Sequence, residues 1–223
     1  MTNPTIKSPI LTTPILSLTE KPLDIARLID RWCYIGLDLG QRRDYTAIAI
    51  VERAFEPYHW DVSKLRQTKS GKQWYIVRSL ERLRLGTPYP DVVERLRQIT
   101  QMPFVEDGRT IIVDGTGVGA PVVDLIRRAG ITGIVPVIIT GGERASVGLS
   151  GGYSSVPRSL LLTGLQVAIQ ENKLVVAANC REAQTLEREL MELKLAGTKS
   201  SEIHDDMAFA VALAIWKARQ AGV

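Results

Sequence analysis

The chain is expected to fold as an α/β domain around a mixed sheet, antiparallel along its first strands, with helices on both faces. Three observations lead there. Three strand-like segments follow one another between residues 32 and 85 with no helix between them. From residue 89 onward, short apolar runs alternate with stretches of helical spacing. The 223 residues, 45% hydrophobic and 23% charged, are enough for one domain with a substantial core and marginal for two.

The elements follow in order. Residues 1–31 are expected to form an arm or linker, and 32–223 the domain. The first 22 residues are rich in Pro and Thr and suit an arm ordered against a partner. LDIARLIDRW suits a short helix. WCYIGLDLG and TAIAIVER are strands, joined through GQRRDY, whose Gly and Asp favour a hairpin turn. A polar, basic stretch, DVSKLRQTKSGK, precedes a third strand in QWYIVRSLERLRL. YPDVVERLRQIT has helical spacing, and RTIIVDGTG is a buried strand feeding a loop. APVVDLIRRAG is a helix with Pro121 near its start and Gly130 at its end. GIVPVIIT is another buried strand, and GGERASVGLSGGY a mobile glycine-rich loop. VPRSLLLTGLQVAIQENK is a helix with Pro157 in its first turn and Ser155 available as a cap. LVVAA is a short strand, REAQTLERELMELKL an amphipathic helix, and HDDMAFAVALAIWKARQ a buried final helix. The order, three strands and then alternation, has the outline of the ribonuclease H-like architecture.

Composition excludes several classes. A net charge of +4 and a pI near 9.1 are mildly basic and compatible with a polyanionic partner. Two cysteines, Cys33 and Cys180, form neither a disulfide framework nor a metal spacing, which leads us to expect a reduced, cytosolic setting. No apolar run has membrane length, and no signal peptide is evident. The phosphate-binding pattern G-x-x-x-x-G-K-[ST] appears nowhere. Gly115, Gly117 and Gly119 follow Asp114, but Ala120 departs from G-x-G-x-x-G.

The acids carry the chemistry. In YIGLDLG, Ile35, Leu37 and Leu39 share one face of a strand, and Gly36, Asp38 and Gly40 the other. The flanking glycines are expected to leave open space before the Asp38 carboxylate. Asp114 stands at a strand end, where chemistry gathers in open α/β sheets. Asp205 and Asp206 head the last helix, where an acid can also serve as a cap. Carboxylates from these three places converge only if the two strands lie side by side. Mutual repulsion would then protonate one of them unless cations intervene. Oxygen ligands suit Mg²⁺ or Mn²⁺. Two such ions, roughly 3.5–4 Å apart, can activate water and stabilise the leaving oxygen of a phosphodiester.

Five stretches in this order resemble the nuclease domain of phage large terminase subunits: IGLDLGQRRDYTAIAIV, IIVDGTGVGAPVVDLI, VPRSLLLTGLQVAIQENKLVV, LERELMELK and HDDMAFAVALAIW. The resemblance spans about residues 32–219. It implies an RNase H-like fold and metal-dependent endonucleolytic cleavage of double-stranded DNA during packaging in a host bacterial cytoplasm. It also implies acidic metal ligands: Asp38, Asp114 and one of Asp205 and Asp206, the choice between them open. His204 is an outer-shell or surface candidate, Asp44 a turn acid, and Asp124 solvent-facing. Large terminases carry an upstream ATPase. This chain opens on Met1 without a Walker motif, so a stand-alone nuclease, split-gene product or remnant is expected. Packaging would need an ATPase, a small terminase subunit or a portal in trans.

Basic residues near the acids are candidates for holding phosphates: Arg42, Arg43, Arg158 and Arg144, with Lys64, Arg66, Lys69 and Lys72 in the turn before the third strand. Such contacts give salt-dependent affinity with little base specificity. Alternative readings are a Holliday-junction resolvase-like nuclease and a non-catalytic DNA-binding or assembly module. A sugar-kinase or actin-like ATPase fits poorly, because Gln41, Arg42 and Arg43 stand where small hydroxyl residues would follow the first strand.

Overall fold

The computed structural model describes residue 23 and residues 27–40, 44–57, 71–117, 119–146, 148, 152–196 and 205–221. Three strands open the fold: β1 (Ile29–Asp38), β2 (Ala47–Pro57) and β3 (Gly71–Arg82). Helices α1 (Tyr89–Thr100) and α2 (Pro103–Glu106) lead to β4 (Arg109–Asp114) and α3 (Gly119–Arg128). Then come β5 (Ile134–Thr140), β6 (Ser154–Pro157), α4 (Arg158–Gln170), β7 (Leu174–Val176), α5 (Ala183–Ala196) and α6 (Asp206–Gln220).

Among the described residues the strands form one sheet in the order β6-β5-β4-β1-β2-β3-β7. The β1–β2 and β2–β3 pairs are antiparallel, and the other pairs are parallel. The mixed sheet with antiparallel first strands is therefore the observed architecture. Two-residue alternation decides the two faces. Cys33, Ile35 and Leu37 of β1 pack with Ile48, Ile50, Ile111 and Val113 against α1, α2 and α3. Tyr34, Ala47, Ala49, Val51 and Ile112 pack against α4, α5 and α6. Helices thus cover both faces.

The last helix is apolar on every side because it is enclosed on every side. From Asp206 to Trp216 each residue is buried. On the other face, Leu23 and Leu28 join Ala54, Trp74, Ile76 and Val175 in a small satellite cluster. Cys33 and Cys180 are buried free thiols on opposite faces.

Three expectations are corrected. The short helix proposed over LDIARLIDRW does not extend through residues 29–32, which begin β1. Ile29 and Trp32 pair with Phe55 and Arg53, and the register shift between them accompanies a positive φ of 49° at Asp30. Ser155 is not a helix cap: residues 154–157 form β6, paired in parallel with β5 and bridged at Ser155 to Ser146. Pro157 ends that strand and stands immediately before α4. The short α2 was not foreseen either.

Candidate active site

The chain leaves β1 toward β2 and β3 on one side, and β4 leads to β5 and β6 on the other. The crevice between the β1 and β4 carboxyl ends is thus the topological switch point, the usual place for a site in an open α/β sheet. Leu37 pairs with Val113, so Asp38 and Asp114 end adjacent parallel strands. Both follow the parity of Tyr34 and Ile112 and belong to the face covered by α6. Asp206 opens that helix, and Asp205 occupies its N-cap position. The four predicted acids therefore converge.

Each acid has a defined environment. The Asp114 Oδ1 accepts the Thr116 N–H at 2.8 Å and the Thr116 hydroxyl at 2.6 Å. Thr116 in turn accepts the Ile139 N–H at 2.8 Å, tying Asp114 to β5. Desolvation pushes the Asp114 carboxyl above its usual range, against the Thr116 bonds and a side-chain hydrogen bond with Asp38. Asp38 keeps some solvent access but is densely enclosed. Its carboxyl is pushed well above the carboxylate range, first by desolvation, then by the charges of Asp114, Asp206 and Asp205, with Arg158 opposing.

Asp205 makes no side-chain cap bond to α6. Its carboxylate accepts from Arg158, whose guanidinium lies 3.9 Å from the centroid of the Phe209 ring. Desolvation raises the Asp205 carboxyl while Arg158 holds it back. Asp206 is 7% exposed, with an Oδ2 3.7 Å from Arg82 at the end of β3.

Sequence reasoning missed Glu189. It lies on α5 and is 2% exposed. Its Oε2 accepts the Ala208 N–H at 2.9 Å, and its Oε1 accepts from Arg82. Burial pushes its carboxyl up to about 7, against the Ala208 bond and the Arg82 charge. A signal was present in the sequence: Glu189 falls on the stripe Leu186, Leu190 and Leu193 at helical spacing, an acid where an apolar residue belongs.

The glycine expectation is also corrected. The space beside Gly36 is not open: the backbone of α6 fills it at Ala210. Gly40 is likewise closed by the backbone of Asp44 and Tyr45. Arg144 is exposed in the segment after β5, and Arg158 begins α4 beside the acids. Asp44 is exposed, and its charge raises the Asp205 carboxyl slightly. Asp124 is solvent-facing, 3.7 Å from Arg127. Lys72 stacks over Trp74 in β3. Arg42, Arg43, Lys64, Arg66, Lys69 and His204 lie outside the described residues.

Five carboxylates, Asp38, Asp114, Asp205, Asp206 and Glu189, share this region with the guanidiniums of Arg82 and Arg158. Their mutual repulsion and all-oxygen chemistry fit a hard divalent cation. Among the described residues, no three Asp, Glu, His or Cys side chains close into a ready-made metal cage. Asp205 turns to Arg158, and Asp114 to Thr116.

No protein-family model matches this chain, and no curated protein matches it. Among solved structures, the large terminase nuclease of thermophilic phage G20c, determined with bound magnesium, aligns with a TM-score of 0.50. Sequence identity is 19%, over 83% of this chain and 81% of that one. The chain thus shares the α/β, RNase H-like fold of a terminase nuclease domain. No described helix is long and apolar enough to cross a membrane.

Proposed function

We propose that this chain is a divalent-metal-dependent endonuclease that hydrolyses double-stranded DNA, of the kind that serves phage DNA packaging. The supporting observation is the convergence of Asp38, Asp114, Asp205 and Asp206 at one sheet edge, where desolvation and then the charges of the other three raise the Asp38 carboxyl. The fold shared with a magnesium-bound terminase nuclease favours the same reading.

Asp38, Asp114 and Asp206 would hold Mg²⁺ or Mn²⁺, two ions in all. Asp206 is the preferred third ligand because Arg158 bonds Asp205 directly, whereas Arg82 stays 3.7 Å from Asp206. Bound there, such ions supply a water nucleophile at neutral pH and charge for the departing 3′-oxygen. The chain's own residues do the rest. Thr116 holds Asp114 through one carboxylate oxygen, and the Asp114 side chain is hydrogen-bonded with Asp38. Arg158, with a side chain 42% exposed, is poised to exchange Asp205 for a DNA phosphate.

The segments after β1, β3, β4 and β5 open on the acid edge, because these strands run in one direction. Those after β3 and β5 carry Arg84 and Arg144. Backbone contacts of this kind give salt-dependent binding with little base specificity. DNA packaging would engage an ATPase, a small terminase subunit or a portal, in the host bacterial cytoplasm.

The test is cutting of a supercoiled plasmid in Mn²⁺, Mg²⁺ or EDTA by wild type and by Asp38→Asn, Asp114→Asn, Asp205→Asn and Asp206→Asn. Metal-dependent cutting, lost with Asp38, Asp114 and Asp206, supports the reading. Preference for branched over linear duplex would favour a resolvase-like enzyme. DNA binding without cutting or metal uptake would favour an assembly module.

A further inference from the structure

The geometry points to Glu189 as the positioning residue that caps α6 from outside and orients Asp206 toward Asp38. This rests on the metal-site reading given above.

A helix leaves its first N–H groups without intrahelical partners. Here the first backbone bond of α6 runs from Phe209 N–H to the Asp205 carbonyl at 2.9 Å. The Ala208 N–H, one residue earlier, needs an acceptor from elsewhere. The N-cap residue usually supplies it, but the Asp205 side chain does not. Glu189 does so instead, from α5, at 2.9 Å in a buried setting.

This substitution of one cap for another has a consequence. A local cap would turn the Asp205 carboxylate back onto its own helix. A cap from α5 leaves Asp205 to Arg158 and leaves Asp206 at the cleft. The arrangement sets a fifth carboxylate beside four others, which is unfavourable unless compensated. Arg82 compensates: its NH2 group bonds Glu189 and lies 3.7 Å from Asp206. The same guanidinium sits 5.1 Å from the Tyr45 ring centroid. Both Glu189 oxygens are thereby engaged, one by a backbone N–H and one by Arg82. Glu189 is therefore a positioning residue and not a metal ligand. The start of α6 is held from three elements: α5 through Glu189, β3 through Arg82, and β1 through the contact of Gly36 with Ala210.

The test combines Mn²⁺ titration calorimetry on the full chain with amide hydrogen exchange at Ala208. Glu189→Ala removes both contacts. It is expected to speed Ala208 exchange at least about tenfold and to weaken Mn²⁺ binding by about 10- to 100-fold. Glu189→Gln keeps an acceptor for the N–H, so Ala208 protection should return to the wild-type level. If Glu189→Ala does not fold, Glu189→Asp, one methylene too short, is expected to show the same loss of protection. Unchanged Ala208 exchange in Glu189→Ala or Glu189→Asp overturns the inference, as does unchanged Mn²⁺ affinity. If wild type itself takes up no Mn²⁺, the metal-site reading fails, and Ala208 exchange alone decides the capping role.

Discussion

A methyl group placed on Gly36 would lie 1.8 Å from the carbonyl oxygen of Ala210. The last helix therefore rests directly on the backbone of the first strand, two residues before Asp38. Gly36→Ala must push α6 away from β1 and carry Asp206 with it. Overpacking of this sort costs about 1–3 kcal/mol or more. Chemical denaturation should show that loss, together with reduced cutting. Gly141→Ala, at a position with nothing within 4 Å, should stay within about 0.5 kcal/mol of wild type.

The acids oppose one another without a cation, so removing one should favour the folded chain while ending its chemistry. Asp38→Asn is expected to raise stability in EDTA by about 1 kcal/mol and to abolish plasmid cutting. Thermal unfolding in EDTA and in Mn²⁺ separates the two effects: Mn²⁺ should stabilise wild type and leave the variant unmoved.

Several site carboxyls have folded-state pKa values above their ordinary ones: Asp38, Asp114 and Asp205, with Glu189 at about 7. For such groups the protonated form is favoured by folding. Their contribution is complete below the ordinary carboxylate range and is lost as pH rises through the folded values. In EDTA, stability should therefore fall between about pH 5 and pH 8. Protons compete with cations for the same oxygens, so the Mn²⁺-induced rise in Tm should grow over that interval.

Burial pushes the Cys33 thiol up to about 12 and raises Cys180 as well. Native protein should react slowly with a thiol reagent at pH 8, and both cysteines should react on unfolding. With the folded value above the unfolded one, Cys33 leaves stability untouched below about pH 9 and lowers it as pH climbs toward 12.

Arg158 bonds Asp205, stacks on Phe209 and partly opposes the desolvation-driven rise of the Asp38 carboxyl. Arg158→Ala should weaken duplex binding and reduce the salt slope of log Kd by about one. Arg158→Lys should restore charge but not stacking, and so recover only part of the affinity.

The sheet was legible because alternation in YIGLDLG and TAIAIVER assigns each side chain to a face, and the observed cores follow it. The acids were legible as candidates, since Asp38 shares parity with Gly36 and Asp114 ends an apolar run, but their convergence depended on β1 and β4 lying side by side. What the sequence hid depends on neighbours distant along the chain. Gly36 reads as open space until α6 is laid against it. Asp205 reads as a cap until Glu189 is seen in that role. β6 has few residues and exists because β5 offers it an edge.

The most direct test of the central claim is a crystal structure grown in Mn²⁺, with the ions located by anomalous scattering. The expected result is Mn²⁺ about 2.1 Å from carboxylate oxygens of Asp38, Asp114 and Asp206, with Glu189 still on Ala208. Absence of ions from this edge at saturating Mn²⁺, or ions bound elsewhere, would contradict it.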